Sequence, residues 1–140
     1  MSSGVVYLDA SALVKLVSDE AETTSLQSSL ADWPRRMSSC VAEVELMRAA
    51  RRGKDVPRAS AAAREVLAKV VLLEVDSTVR GLAATLEPPV LRALDAIHLA
   101  SALTLGGTLE AFVTYDRRLF AAALAAGLVA VAPGQAGTAP

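Results

Sequence analysis

The run Val5-Val6-Tyr7-Leu8-Asp9-Ala10-Ser11-Ala12-Leu13 decides how this chain is read. Its first four residues are uncharged and rich in β-formers. They are bounded by Gly4 on one side and Asp9-Ala10-Ser11 on the other, the pattern of a buried strand that turns into a helix. A strand of unbroken apolar residues is covered on both faces, which suits the centre of a parallel sheet. Asp9 stands directly at its end. An ionised carboxylate drawn out of water without a partner costs several kcal/mol, so such an acid is paired with a base, neutralised or gathered around a cation. No Lys or Arg neighbours Asp9 on its strand side.

Outward from this run, the same alternation continues. Residues 70–75 and 111–115 read as strands, with weaker ones at 36–39 and 128–131. Between them, helical spacing covers 21–33 before Pro34, 40–52 before Gly53, and 58–69 after Pro57. It continues from the Asp76-Ser77 cap to about 86, then over 94–105 before Gly106-Gly107, and over 116–126. Strands alternating with helices predict an α/β fold, a three-layer α/β/α sandwich around a mostly parallel, roughly five-stranded sheet. A chain of 140 residues makes one domain, able to bury roughly 70% of its unfolded surface. The domain is expected over residues 1–132, with a flexible tail at 133–140. Apolar residues form 53% of the chain and aromatics only 4%, so the core must be Ala, Val and Leu in close layers, which favours helices stacked on a sheet.

Three further acids sit in or at the end of apolar segments: Glu45 within Val41-Ala42-Glu43-Val44-Glu45-Leu46-Met47, Asp95 within Leu94-Asp95-Ala96-Ile97-His98-Leu99-Ala100, and Asp116 after Phe112-Val113-Thr114-Tyr115. In an open α/β sheet the ligand crevice lies beyond the carboxyl ends of the strands, which brings Asp9 and Asp116 to one rim. Each of these two also precedes a helix, where Asp is a good N-cap, so capping explains either one taken alone. Asp95 lies on a helix that reads as apolar nearly all round, with His98 three residues on as a ligand or, more commonly for such a residue, a hydrogen-bonded core histidine. Glu43 and Glu45 are two residues apart on one helix, about 200° around it, so only one can face the crevice, and spacing does not choose between them. A divalent-metal site accounts for all four segments together.

Other chemistries fit poorly. The net charge of −1 excludes a globally basic nucleic-acid surface. Basic residues are local: Arg35-Arg36, Arg48 with Arg51-Arg52 and Lys54, and Arg117-Arg118, each also readable as a solvated helix end. With Cys40 as the single cysteine, an internal disulfide and a cysteine-based zinc site are excluded, and a reducing compartment is expected. Gly106-Gly107 lacks the spacing of a phosphate loop, and one His with one Cys gives no hydrolase triad around Ser11. No basic leader and no run of ~18 apolar residues is present, so a cytoplasmic protein without a membrane span is expected.

With the acids on this α/β order, the sequence resembles the PIN domains, in particular the small VapC-type toxin ribonucleases. The resemblance rests on Val6-Tyr7-Leu8-Asp9-Ala10-Ser11-Ala12-Leu13, Ser39-Cys40-Val41-Ala42-Glu43-Val44-Glu45-Leu46-Met47-Arg48-Ala49, Leu94-Asp95-Ala96-Ile97-His98-Leu99-Ala100 and Phe112-Val113-Thr114-Tyr115-Asp116-Arg117-Arg118-Leu119. It spans residues 5 to about 131. It implies an endoribonuclease using Mg²⁺, with Mn²⁺ able to substitute. Asp9 and Asp95 would be the primary metal ligands, with Glu45 and Asp116 acting directly or through water. It selects Glu45 over Glu43, makes Ser11, Thr114 and His98 hydrogen-bonding residues behind the ligands, and leaves Arg48, Arg117 and Arg118 as candidates for RNA contact. It further implies a VapB-like antitoxin, an RNA substrate such as a tRNA or rRNA loop, and a homodimer. A housekeeping PIN nuclease is the nearest rival. A haloacid-dehalogenase-like phosphatase would want a second Asp where Ser11 stands, and a receiver-like signalling module would want a phosphoacceptor Asp after its third strand and a late Lys.

Overall fold

The computed structural model describes residues 2–135. Chain order is β1 (Val5–Leu8), α1 (Ala10–Val17), α2 (Thr23–Leu30), β2 (Arg35–Ser39), α3 (Val41–Ala50), α4 (Val56–Ala68), β3 (Val71–Leu73), α5 (Ser77–Ala84), α6 (Ala93–Leu103), a 3-10 turn (Gly106–Thr108), β4 (Leu109–Val113), α7 (Arg117–Ala125) and β5 (Ala130–Val131). The strands form one sheet of order β3-β2-β1-β4-β5, and every pairing is parallel. The expected α/β sandwich is therefore present, with β1 at the centre.

Alternation along β1 distributes the core. Val6 and Leu8 join Ala111 and Val113 of β4 on one face, covered by Leu13, Leu26, Leu30, Leu46 and Ala63 from α1 to α4. Tyr7 and Phe112 point to the other face, against Leu99 of α6 and Leu119 and Ala122 of α7. Their rings stack with centroids 5.3 Å apart. Each large apolar side chain removed from water here contributes about 1.5–3 kcal/mol, and a centre flanked on both faces explains why the β1 run carries no charge.

Topology positions the site. From β1 the chain builds β2 and β3 on one side, then crosses to β4 and β5 on the other, so the strand order reverses between β1 and β4. A crevice opens at such a point, beyond the carboxyl ends of the two strands. Asp9 follows β1, and its backbone N–H donates to Val113 O of β4 at 3.2 Å.

Several boundaries differ from the sequence reading for local reasons. The helix expected over 21–33 stops at Leu30, where the guanidinium of Arg36 takes the carbonyls of Leu30 at 3.3 Å and Trp33 at 3.4 Å. The strand expected over 70–75 shrinks to Val71–Leu73 and lies at the sheet edge with Val71 56% exposed, because apolar content alone does not separate edge from centre. β4 ends at Val113 rather than 115, which leaves Thr114 buried just past the strand and Tyr115 lining a hollow beside it. The tail expected from residue 133 starts as a packed turn: Pro133 O accepts from the Tyr115 hydroxyl at 2.7 Å, and Gly134 has φ +86° close against Ser25. Residues 136–140 of that tail lie outside the described residues.

Candidate active site

Asp9 is 3% exposed and both its carboxylate oxygens are engaged. Oδ1 accepts from Ser11 Oγ at 2.7 Å and from Ala12 N at 2.9 Å, and Oδ2 accepts from Thr114 Oγ1 at 2.6 Å. The cap on α1 is thus real, and it leaves lone-pair capacity on the carboxylate, which can accept about four bonds. Burial pushes the Asp9 carboxyl above its usual range. The bonds from Thr114 and Ser11, the nearby His98 and the Ala12 N–H pull against that shift. Ser11 and Thr114 tie the two strand ends together: Ser11 Oγ accepts from Tyr115 N at 2.8 Å, and Thr114 Oγ1 accepts from Asp116 N at 3.1 Å.

α3 turns its two glutamates to different sides. Ala42 and Leu46 are buried beneath the helix, which turns Glu43 to solvent. Glu45 turns inward, its side chain 21% exposed, and its Oε1 lies 2.7 Å from His98 Nε2. His98 is 1% exposed, and its Nδ1 lies 2.7 Å from the Tyr7 hydroxyl. With a partner on each ring nitrogen, His98 is not free to ligate a metal. Tyr7 is the residue that the sequence reading missed here, although it is the one hydroxyl within the apolar β1 run.

Asp95 differs from its expectation. The sequence places it on a helix with nowhere wet to turn, but burial of α6 begins at Ala96 and Asp95 is half-buried in the open first turn. Among the described residues its carboxylate accepts no hydrogen bond and meets no Lys or Arg. Burial raises its pKa first, then the negative charges of Asp116 and Asp9, with His98 opposing and Glu45 adding to the rise. Asp116 caps α7, Oδ1 accepting from Arg118 N at 2.9 Å and Leu119 N at 3.1 Å. Asp95 and Asp116 share the wall of a cleft of about 980 Å³ with Arg92, Arg117 and Arg118. Arg92, three residues before Asp95, was not singled out in the sequence. Arg48 is exposed on α3 and lines neither this cleft nor the second hollow of about 420 Å³, where Glu45 meets Ser11, Lys15, Arg52 and Tyr115. Lys15 is engaged elsewhere, by Glu20 at 3.2 Å and Glu22 at 3.0 Å.

The four acids thus come from four elements to one end of the sheet, and among the described residues no Lys or Arg pairs with any of them. As the side chains stand, no three acidic, His or Cys groups among the described residues converge tightly enough to hold one ion between them. The donors are carboxylate oxygens, the class preferred by Mg²⁺ and Mn²⁺, and Mg²⁺ commonly takes one or two carboxylates and fills the rest of its shell with water. The residues present fit such a cation.

A PIN-domain family model matches residues 6–124. The chain belongs to the PIN-domain family. Within it, Ribonuclease VapC35 of Mycobacterium tuberculosis is 46% identical over 136 residues, covering 94% of this chain and 99% of that protein. Ribonuclease VapC47 of the same species is 42% identical over 135 residues, covering 93% and 98%. Among solved structures, the Mycobacterium tuberculosis VapC20 toxin, described as cleaving the sarcin-ricin loop, superposes with a TM-score of 0.71 at 21% identity, covering 91% of this chain and 99% of that one. A toxin–antitoxin complex from Klebsiella pneumoniae gives a TM-score of 0.66 at 22% identity, covering 83% and 90%. These two share the fold, while the closer sequence relatives place this PIN domain among the VapC ribonucleases. Among the described residues, no helix is long and apolar enough to cross a membrane.

Proposed function

We propose that this PIN domain is a divalent-metal-dependent endoribonuclease, the toxin of a toxin–antitoxin pair, hydrolysing a phosphodiester in a structured RNA such as a tRNA or rRNA loop. The observation that carries the reading is the gathering of Asp9, Glu45, Asp95 and Asp116 at the strand-order reversal with no Lys or Arg partner among the described residues, two of them with raised pKa values. The ribonuclease relatives named above support the substrate class.

Asp9 and Asp95 would hold the cation, Mg²⁺ or Mn²⁺, with Glu45 and Asp116 completing its surroundings directly or through water. When bound, the cation would offset charge on the phosphate and lower the pKa of water, so that hydroxide is available as the nucleophile once the proton has passed to solvent. Ser11 and Thr114 keep the Asp9 carboxylate in one orientation. Arg92, Arg117 and Arg118, on the cleft wall beside Asp95 and Asp116, bind the flanking phosphates, since a guanidinium donates to two phosphate oxygens at once. The same basic wall, with Val90, Leu91 and Ala121 between the arginines, takes an acidic and apolar segment of a VapB-like antitoxin. A homodimer and a cytoplasmic setting complete the proposal.

The test is cleavage of purified tRNA and rRNA by the purified chain, with Mg²⁺ or Mn²⁺ added or withheld. Cleavage that requires either ion and stops in excess chelator is the expected result. Undiminished cleavage in chelator would overturn the mechanism.

A further inference from the structure

Three groups on three elements form an unbroken hydrogen-bonded chain that is buried at Tyr7 and His98 and part-buried at Glu45. The Tyr7 hydroxyl on β1 lies 2.7 Å from His98 Nδ1 on α6, and His98 Nε2 lies 2.7 Å from Glu45 Oε1 on α3. The Tyr7 and His98 rings meet edge-on, 75° between planes, and Tyr7 is itself stacked on Phe112 at an interplanar angle of 6°. The imidazole is therefore fixed in its plane at both ends and clamped along one edge. Glu45 reaches it along a side chain with three torsions, and its other oxygen, Oε2, accepts no hydrogen bond among the described residues.

The chemistry of the partners sets the proton positions. A carboxylate oxygen accepts, so the bond to Glu45 takes its proton from Nε2, and Nδ1 then accepts the Tyr7 O–H. The remaining Glu45 oxygen is left for the hollow that Glu45 lines with Ser11 and Tyr115. Groups that orient a metal-binding carboxylate from behind raise affinity by selecting its productive rotamer, and their loss typically costs about 10–100-fold.

We propose that His98 is a positioning residue, which with Tyr7 holds the Glu45 carboxylate in the one orientation that presents its second oxygen to the cation. This rests on the reading of Glu45 as part of the cation site. It accounts for a histidine in the buried part of α6 that touches neither Asp9 nor Asp95 by hydrogen bond.

The experiment uses the untagged full chain, where His98 is the single histidine, so its ring gives one unambiguous set of nitrogen signals. In the metal-free protein, proton–nitrogen correlation is expected to find a proton on Nε2, and a ring without one overturns the proposal. Mn²⁺ affinity is then measured by calorimetry for wild type and three variants, together with kcat and KM for RNA. His98→Leu removes both contacts and is expected to weaken Mn²⁺ binding by about 10-fold or more, lowering kcat with KM for RNA little changed. His98→Gln places an amide near the lost Nε2 and should recover part of the affinity. His98→Asn reaches only as far as Nδ1 and should not. Should His98→Leu fail to fold, the Gln and Asn pair carries the comparison: equal affinity in the two overturns the positioning role. Wild-type protein that binds no Mn²⁺ overturns the function proposed above and this role with it. Wild-type affinity retained in all folded variants overturns the role of His98 alone.

Discussion

Asp9 and Asp95 lie near enough for the charge of Asp9 to raise the Asp95 pKa, and burial shifts both upward, yet they are held by opposite means. Asp9 sits at a strand end and takes three hydrogen bonds, from Ser11, Ala12 and Thr114. Asp95 sits in the first turn of α6, takes none among the described residues, and is disfavoured further by Asp116, Asp9 and Glu45. One carboxylate is prearranged by the scaffold in the absence of a cation. The other is left in unfavourable potential that a cation would relieve. On the proposed reading, a site built from one of each would be ordered enough to define geometry and strained enough to bind, which is how a structure can give up some stability for function at a local position.

The largest expected effect falls on turnover. Asp9→Asn and Asp95→Asn should each lower cleavage by about 100-fold or more, in the range for loss of a group acting on the transition state, measured as kcat/KM on RNA with saturating Mn²⁺. If either variant keeps full activity, that residue is not a ligand. Next in size is the comparison within α3. Glu45→Gln should lose about 10-fold or more in turnover, because the amide disturbs both its contact to His98 and its charge, whereas exposed Glu43→Gln should stay near wild type. The reverse ranking would show that the wrong helix face has been assigned.

This contrast also marks what the sequence made legible. The strand ends did so as positions: an uncharged run closed by Asp reads as a helix cap or a site residue, and the capping bonds of Asp9 and Asp116 are both present, with lone pairs left on each carboxylate. The helix-borne half did not. Around α6 the sequence reads as apolar on every side, and only the tertiary fold shows that its first turn opens to the cleft. The choice between Glu43 and Glu45 needed the family resemblance, since the period of 3.6 residues fixes their separation and not the face that packs. Tyr7 and Arg92 were invisible for a related reason. Their placements depend on a partner 91 residues away in sequence for Tyr7, and on a cleft between α6 and α7 for Arg92, neither of which local spacing encodes. The edge position of β3 is the same kind of gap, because pairing order is a property of the sheet and not of the strand.

Thermal stability sharpens the comparison at a smaller scale. In chelator at neutral pH, Asp95→Asn should melt a few degrees above wild type, since it removes a repelled charge and breaks no hydrogen bond. For a half-exposed group the gain is held by solvent screening to about 1 kcal/mol or less. Asp9→Asn should melt below Asp95→Asn, because one carboxamide end becomes a donor facing the donating Thr114 hydroxyl or Ser11 hydroxyl and Ala12 N–H, and a mismatched buried polar group costs about 1–3 kcal/mol. Millimolar Mn²⁺ should raise wild type more than either variant, by linkage of binding to folding. Melting of Asp95→Asn below wild type with and without Mn²⁺ would mean that Asp95 serves the fold.

The smallest effect is a slope with pH, and its sign follows from the direction of the shifts. A carboxyl whose pKa is higher in the folded state than in the unfolded chain holds its proton more tightly when folded. Its contribution is therefore fully present below the unfolded value and is lost as pH rises through the folded one. For Asp9 and Asp95 that loss begins near the ordinary value of 3.8 and extends upward. Other groups act oppositely, notably Glu22 and Glu110, whose hydrogen bonds lower their pKa values, so the total slope is not diagnostic. The difference between wild type and Asp95→Asn is, because those groups cancel in it. Measured by denaturant midpoints in chelator from about pH 4 to about pH 8, the variant should gain on wild type as pH rises. Saturating Mn²⁺ should shrink or reverse that gain, since the cation now favours the ionised wild type. A gap that is flat with pH in chelator would show that the Asp95 carboxylate is not under strain, and the contrast with Asp9 would then be one of hydrogen bonding alone.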